Sequence, residues 1–307
     1  MMAMEPLHGI AEITDPHHHL WDLGTNYYPW LTDRITQRVC GEYSAIRKNY
    51  LLADFLRDVG TLPVVRTIHV QAEHDSTDPV RETAWLQSIA GSGQAGGLPH
   101  GIVAYADLRR EDAPAILEAH ATHANLRGIR QMLHEVLLDP GHAHPALFGD
   151  PAWQRNLGLL RRHGLSFDLQ IYPQQADAAC ALLARYPETT FVLCHAGQPA
   201  RQDDEAFMHM WRASLHRLAA YPNLSIKLSG FGMFDRRWTP ASIRPLVLHA
   251  IDAFGPERTM FASNFPVDGM ASSYDRLWKA YGEVTGQFSA HERQALFSGT
   301  ARRVYRV

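Results

Sequence analysis

The feature that most constrains the fold is an eightfold alternation of apolar, β-branched segments with segments of helical spacing. The predicted strands are residues 10–13, 64–72, 101–107, 126–133, 165–172, 189–196, 224–231 and 260–267. The predicted helices between them are residues 51–59, 80–89, 113–121, 153–163, 175–185, 207–220, 243–254 and 277–284. A doubly wound open sheet would more often carry a glycine-rich phosphate loop after its first strand, whereas here the first strand leads into histidines. We therefore predict an α/β fold with a single (β/α)8 TIM barrel over residues 1–307.

Composition limits the partners and the compartment. The chain of 307 residues has a formal net charge of -3, which gives no basic field for a phosphate backbone, so nucleic acid is not expected as a partner. Three scattered cysteines imply no disulfide framework and fit a reducing cytoplasm. No apolar run approaches the roughly 18 residues of a membrane helix, so a membrane partner is not expected either. We predict a cytoplasmic protein with a small-molecule substrate, and a homo-oligomer stays possible.

Three consecutive histidines lie just after the first predicted strand, within the segment DPHHHLWD at residues 15–22. Side chains two apart on an extended strand point to the same side, so His17 and His19 should face one way and His18 the other. Neutral imidazole is a common ligand of zinc and similar ions, so the pair predicts two corners of a metal site. The alternative is a histidine-rich surface segment or the remnant of an expression tag.

Polar residues also stand at the ends of the other predicted strands, where a parallel barrel has its active site. They are Gln71 and Glu73 on the second strand, Arg130 on the fourth, Tyr172 on the fifth, His195 on the sixth, Lys227 on the seventh, and Asn264 and Asp268 on the eighth. Unneutralised charges on several strands are costly to bury separately, so we expect these groups to converge in one polar cavity. Residues 21–50 form a long aromatic connection that either folds over this site or packs against the outer helices.

Eight other histidines lie in helical or loop-like segments with no convergent partner nearby in sequence, and we interpret them as solvated. They are His120, His123, His142, His144, His209, His216, His249 and His291.

Five segments resemble the amidohydrolase-related hydrolases of the amidohydrolase superfamily, and are most similar to its branch of sugar-lactone and dicarboxylate-lactone hydrolases. The segments are His17-x-His19, RGIRQ at 127–131, FVLCHAGQP at 191–199, KLSG at 227–230 and MFASNFPVD at 260–268. They occur in the family's order and span nearly the whole chain. The resemblance implies a distorted (β/α)8 barrel that hydrolyses lactones or amides, with or without a divalent metal.

The resemblance also implies roles for individual residues. It makes His17, His19 and His195 ligands of a divalent metal, zinc or else manganese, or relics of such ligands. Relatives commonly carry an aspartate where this chain has Asn264, and that aspartate binds metal and takes the proton from the attacking water. Asparagine cannot act as a base at neutral pH, so Asp268 and Glu73 become the candidate bases. Asp268 could instead cap a helix N-terminus.

The predicted reaction is the hydrolysis of a cyclic ester of a sugar acid or dicarboxylate by water, assisted by the metal. Arg130 and Lys227 would stabilise the developing oxyanion or hold an anionic substrate group, and Gln71 and Tyr172 would contact the substrate. We expect that substrate to be anionic or polyhydroxylated. Three alternatives stay open: a metal-free reaction in which the histidines bind substrate directly, a decarboxylase or amide hydrolase on the same barrel, and an inactive barrel that binds a small acid.

Overall fold

The computed structural model describes residue 7, residues 9–133 and residues 147–307. In these ranges eight parallel strands pair side by side in the order of the sequence, which confirms the predicted (β/α)8 barrel. The strands are β1 (Ile13–His18), β2 (Val64–Val70), β3 (Gly101–Ala104), β4 (Leu126–Ile129), β5 (Ser166–Leu169), β6 (Phe191–Leu193), β7 (Leu224–Leu228) and β8 (Thr259–Phe261). The first strand was predicted at residues 10–13, so the prediction ended it too early: His17 and His18 belong to β1 itself.

Helices connect the strands and cover the outside of the barrel. They are α1 (Pro29–Thr32), α2 (Leu52–Val59), α3 (Pro79–Gly91), α4 (Ala113–Ala121), α5 (Pro151–Leu157), α6 (Ala176–Arg185), α7 (Glu205–Ala219), α8 (Phe231–Phe234), α9 (Pro240–Phe254), α10 (Tyr274–Val284), α11 (Ala290–Gln294) and α12 (Thr300–Tyr305). Each predicted helix has a counterpart, although the one predicted at 153–163 ends at Leu157 and is followed by a 3-10 turn at Leu160–His163. No helix in the described ranges combines the length and the apolar character needed to cross a bilayer.

Helix α7 shows how the apolar spacing becomes packing. Phe207, Trp211, Leu215 and Leu218 recur every three or four residues and are all buried. The helix begins after Asp204, whose carboxylate accepts the Phe207 N–H and so satisfies a donor that the first turn leaves without an intrahelical acceptor. Burial of this face fixes α7 against the barrel.

The barrel closes between β1 and the segment that follows β8. The Asn264 N–H donates to the His17 carbonyl at 2.7 Å, and the His19 N–H donates to the Phe265 carbonyl at 2.7 Å. These two bonds hold the first histidine segment against the end of the last strand. Residues nearly 250 positions apart in the sequence therefore share one site.

The C-terminal helix α12 covers the end of the barrel where the strands begin. Val307 lies beside Gly101, the first residue of β3, and Tyr305 reaches into the barrel interior. An apolar cluster packs with it there, formed by Ile68, Val70, Val103, Val192 and Met260. The opposite end of the barrel is left for the site.

His120 is buried, so its interpretation as a solvated side chain was wrong. It lies on the face of α4 that packs toward the barrel, with 0% of its surface exposed. Its Nε2 donates to the Tyr105 carbonyl at 3.0 Å, so its Nδ1 is left to accept the Thr83 hydroxyl at 2.9 Å. The contact with Thr83 in this direction needs the neutral ring, because a protonated Nδ1 cannot accept. His142 and His144, also interpreted as solvated, lie outside the described residues.

Burial lowers the pKa of His120 to about 4, which predicts a pH-dependent stability. Between about pH 6.5 and pH 4 the unfolded chain binds this proton and the folded protein does not, so the free energy of unfolding falls as the pH falls. One proton corresponds to about 1.4 kcal/mol per pH unit. We expect His120→Gln to reduce the slope of the unfolding free energy against pH by the amount that one proton contributes. Urea unfolding at several pH values across this range measures the slope. Equal slopes for both proteins would show that His120 is already charged when folded.

Candidate active site

A cavity of about 600 Å³ opens at the end of the barrel where the strands finish, a volume suited to a small molecule. Its wall includes side chains from the ends of six strands. They are His19 after β1, Gln71 and Glu73 after β2, Arg130 after β4, Gln170 after β5, His195 after β6 and Asn264 after β8, with Tyr105 and Arg109 from the connection after β3. The structure thus brings together most of the side chains expected to converge.

The histidines of the first and sixth strands form a compact cluster. The ring centroids of His17 and His19 are 5.1 Å apart, and those of His17 and His195 are 4.6 Å apart. His18 turns to the other side of β1, where its ring stacks on Phe55 at 4.4 Å. The expected division of the three adjacent histidines between two faces is confirmed.

Two histidines of the cluster, His17 and His19, are neutral imidazoles. His19 Nδ1 lies 2.7 Å from the Val70 carbonyl, so Nδ1 carries the proton and Nε2 keeps its lone pair. His195 Nδ1 lies 3.0 Å from the Ser229 hydroxyl. Burial holds the pKa of His17 and of His19 well below the usual range, and the nearby positive charges, of Lys227 for His17 and of Arg130 for His19, lower it further.

These donors suit a divalent ion by their chemistry. Three neutral imidazoles are a known ligand set of catalytic zinc, and a ligand histidine usually donates its second ring N–H to a carbonyl, as His19 does to Val70. The His17 Nδ1 atom is buried without a hydrogen-bond partner. As placed, however, no three His, Cys, Asp or Glu side chains within residues 9–133 and 147–307 are grouped closely enough to form a metal site.

Arg130 brings a guanidinium into the cavity wall beside the histidines. Its Nη1 donates to Gln170 Oε1 at 3.1 Å and lies 3.5 Å from His17 Nε2. Its Nη2 donates to the Gln71 carbonyl at 2.6 Å. Only 3% of the residue is exposed, so the positive charge is held in a fixed position and directed at the cavity.

The connection 21–50 forms part of the cavity wall. Of its two expected placements, over the site or against the outer helices, the structure has the first. Trp30 donates its indole N–H to the Ala72 carbonyl at 2.8 Å, and the Arg38 guanidinium lies over the Trp30 ring at 5.0 Å. Arg38 also forms an ion pair with Glu73 at 2.7 Å. The connection is therefore tied to the end of β2, and Glu73 presents its carboxylate in the cavity as one half of this pair.

Asn264 and Asp268 differ in their access to the cavity. Asn264 lines the cavity, whereas Asp268 lies behind it and is fully buried. Asp268 Oδ2 accepts the Gly230 N–H at 2.9 Å, and burial raises the pKa of Asp268 to about 7. Gly230 immediately precedes α8, so Asp268 satisfies a backbone donor at the start of that short helix.

Lys227 and Tyr172 are not in the cavity wall, although both were predicted to contact substrate. Lys227 Nζ lies 2.6 Å from Asp168 Oδ2, and both side chains are fully buried inside the barrel. The Tyr305 hydroxyl donates to the same carboxylate at 2.8 Å. Tyr172 is buried beyond the end of β5, and Gln170, two residues earlier, reaches the cavity instead.

Three residues of the cavity wall have left-handed backbone conformations, which residues other than glycine rarely adopt. They are Glu73 (φ 57°), His195 (φ 52°) and Asn264 (φ 56°). Each follows the end of a strand, and the Gln71 side chain accepts the Glu73 N–H at 2.6 Å. Strain of this kind concentrates at functional sites, because surrounding contacts must hold it in place.

A protein-family model described as Amidohydrolase matches residues 14–307. The chain belongs to the amidohydrolase family.

Related proteins narrow the class of reaction. An L-fucono-1,5-lactonase of Burkholderia multivorans is 32% identical over 307 residues, which cover 95% of this chain and 95% of that protein. An uncharacterized protein of Sinorhizobium fredii, y4mH, is 44% identical over 96% of this chain and 98% of its own length. The crystal structure of an amidohydrolase from Burkholderia multivorans with bound zinc superposes with a TM-score of 0.80 at 29% identity, covering 97% of this chain and 100% of that chain. This amidohydrolase is therefore a hydrolase with lactonase relatives.

Gln170, Arg38 and Arg109 are among the side chains of the amidohydrolase cavity that were not predicted from the sequence. On the fifth strand we predicted Tyr172 rather than Gln170, because the predicted strand ran three residues too far. Arg38 lies in the middle of a connection without periodicity, so no local signal marked it. Arg109 lies two residues past the end of the third predicted strand, and that position was a signal that could have found it.

Proposed function

We propose that this amidohydrolase opens a lactone of a sugar acid by attack of water on the ring carbonyl. The observation that carries the proposal is the guanidinium of Arg130 held beside neutral imidazoles in a cavity of small-molecule size. The side-chain amides of Gln71, Gln170 and Asn264 in the same wall suit a polyhydroxylated ring. The similarity to L-fucono-1,5-lactonases supports the same substrate class.

In the proposed reaction, the water oxygen bonds to the acyl carbon and the carbonyl oxygen becomes an oxyanion. Arg130 donates to that oxyanion and stabilises its charge. The guanidinium does not have to reorient, because Gln170 and the Gln71 carbonyl already fix it. Asn264 holds the water by its amide. Glu73 takes the water proton and returns it to the ring oxygen when the C–O ester bond breaks, which yields the hydroxy acid.

Glu73 is assigned as the base because it is the predicted carboxylate that lines the cavity. Asp268, the other candidate, lies behind the wall and holds the turn at Gly230. That turn carries Ser229, the partner of His195 Nδ1, so Asp268 supports the histidine cluster from outside the cavity.

We expect Glu73→Gln to lower kcat for a lactone substrate about 100-fold with little change in KM, because general-base catalysis typically contributes that much. The matched comparison is Asp268→Asn, which removes a carboxylate charge behind the same wall. A steady-state assay of both variants separates the two assignments. A larger loss of kcat in Asp268→Asn than in Glu73→Gln would move the base to Asp268.

We also propose that His17, His19 and His195 hold a divalent ion, zinc or else manganese. When bound, such an ion would polarise the lactone carbonyl or lower the pKa of a bound water. The zinc in the Burkholderia multivorans amidohydrolase structure supports this assignment. Two features favour a metal-free reaction instead. The first is the Arg130 charge beside His17 Nε2. The second is the amide of Asn264, at a position where the family resemblance implies a carboxylate.

Metal analysis of protein purified without added metal separates these two mechanisms. We expect about one zinc per chain, as for other three-histidine sites, and its loss in the variant His17→Ala/His19→Ala. Titration with Co²⁺, followed by visible absorption, reports binding independently of activity. A metal content near zero with full lactonase activity would assign the catalysis to Arg130 and the imidazoles alone.

The proposed function is tested by a panel of sugar-acid and dicarboxylate lactones, with acid release followed by a pH indicator and carbon dioxide measured in parallel. We expect saturable hydrolysis of at least one sugar-acid lactone, far above the spontaneous rate. Carbon dioxide release from an aromatic or other carboxylic acid without lactone opening would indicate a decarboxylase. Tight binding of a small acid with no turnover across the panel would indicate an inactive barrel.

A further inference from the structure

Glu82 is a buried carboxyl group that the proposed reaction does not use. It lies on α3, outside the barrel, and only 2% of its surface is exposed. Its side chain points at the end of β2, where Gln71, Ala72 and Glu73 form part of the cavity wall. A buried carboxyl group needs a partner that offsets its desolvation, and the partner here is a backbone N–H.

One peptide group connects Glu82 with Arg130. The carbonyl oxygen of the peptide between Gln71 and Ala72 accepts a hydrogen bond from Arg130 Nη2 at 2.6 Å. The N–H of the same peptide donates to Glu82 Oε1 at 3.0 Å. A trans peptide directs its carbonyl and its N–H to opposite sides. Its dipole therefore has its negative end at the guanidinium and its positive end at the carboxyl.

This arrangement lets two buried groups of opposite charge stabilise each other without contact. Within residues 9–133 and 147–307, neither Arg130 nor Glu82 has an oppositely charged side chain at ion-pair distance. Hydrogen bonds to neutral groups hold both: Gln170 and the Gln71 carbonyl for Arg130, and the Ala72 N–H and Tyr28 for Glu82. Hydrogen bonds to charged groups are stronger than those between neutral groups, and bonds in series polarise one another in a low-dielectric interior. An ionised Glu82 therefore makes the Gln71 carbonyl a better acceptor for Arg130.

We propose that Glu82 is a positioning residue that holds the Arg130 guanidinium in its catalytic orientation by polarising the peptide between Gln71 and Ala72. This inference rests on the proposed function, in which Arg130 stabilises the oxyanion. Glu82 itself does not touch the substrate.

The surroundings of Glu82 fit this role. Tyr28, Arg130 and Glu73 are the titratable or charged groups close to its carboxyl. Burial raises the pKa of Glu82 to about 7, while the Ala72 N–H, Tyr28 and Arg130 act to keep it ionised. The next carbonyl along the chain, that of Ala72, accepts the Trp30 indole N–H, so the adjacent peptide between Ala72 and Glu73 is held from the side of the connection 21–50.

A double-mutant cycle tests whether Glu82 acts through Arg130. Glu82→Gln keeps an acceptor for the Ala72 N–H but removes the charge, and we expect it to lower kcat/KM about tenfold, mainly through kcat. Glu82→Ala, which removes the acceptor, should lower it further. In an Arg130→Met background, Glu82→Gln should have almost no additional effect, because the group it positions is gone. Arg130→Lys provides a second background if the methionine variant does not fold.

The control is Glu118→Gln, which removes an exposed carboxylate from the neighbouring helix α4 and should leave kcat/KM unchanged. Equal fold-losses for Glu82→Gln with and without Arg130 would show a purely structural role and overturn the inference. Calorimetric binding of a sugar-acid product to the same variants separates this inference from the proposed function. If no lactone is hydrolysed but product binding shows the same dependence on both residues, the inference stands and the proposed function fails. If lactones are hydrolysed and the effects simply add, only the inference fails.

Discussion

Replacing Arg130 by methionine is expected to lower kcat/KM for a sugar-acid lactone about a thousandfold. Removal of one preorganised donor to an oxyanion typically costs about 10²- to 10³-fold in rate. Methionine fills a similar volume, but Gln170 and the Gln71 carbonyl lose the donor that both contact in the folded protein. Steady-state kinetics at fixed pH, with circular dichroism to confirm folding, measures the effect.

Arg127→Met is the matched control for this prediction. Arg127 lies on β4, three residues before Arg130, and is half-buried. It donates to the backbone carbonyls of Ala124 and Leu126 rather than to cavity groups. It should retain kcat/KM within about threefold of the wild type, as expected of a substitution outside the site. Similar rates for the two variants would remove Arg130 from the mechanism.

The double substitution His17→Ala/His19→Ala is expected to abolish lactone hydrolysis, with a loss of kcat/KM of about 10⁴-fold or more if the cluster supplies electrophilic catalysis. Both rings belong to the buried cluster with His195, and their removal leaves that cluster with one imidazole. The rate with a lactone from the panel, relative to the spontaneous rate, measures the loss.

His18→Phe is the control for the histidine variant. His18 faces away from the cluster and stacks on Phe55, and neither of its ring nitrogens has a hydrogen-bond partner within the described structure. An aromatic ring of similar size should therefore preserve both folding and kcat/KM. Unchanged hydrolysis in the double variant would mean that the reaction takes place somewhere else.

The barrel could be predicted because its signal is repeated along the whole chain. Strand and helix patterns alternate eight times, and parallel topology then places the strand ends at one edge. The positions of His19, Arg130, His195 and Asn264 around one cavity follow from that topology alone. The first strand was misplaced because β1 is buried on both faces yet contains Asp15, Pro16 and two histidines, so it lacks an apolar pattern.

The contacts that were missed are those between residues distant in sequence. Lys227 appeared free to reach a substrate, but the register of the barrel brings Asp168 beside it inside the core, and no local pattern indicates that pairing. Glu82 appears in sequence as an ordinary polar residue near the start of a helix. Its role depends on how α3 packs against the end of β2, which only the tertiary structure reveals.

The central claim is that water attacks a lactone carbonyl in this cavity, and isotope labelling tests it most directly. The purified protein is incubated with a hydrolysed lactone from the panel in H₂¹⁸O, and the product is analysed by mass spectrometry before and after conversion to its ester. The account predicts one ¹⁸O atom per product molecule, located in the carboxyl group, with formation dependent on Arg130. Product formed without ¹⁸O in its carboxyl group, or at the same rate in Arg130→Met, would contradict it.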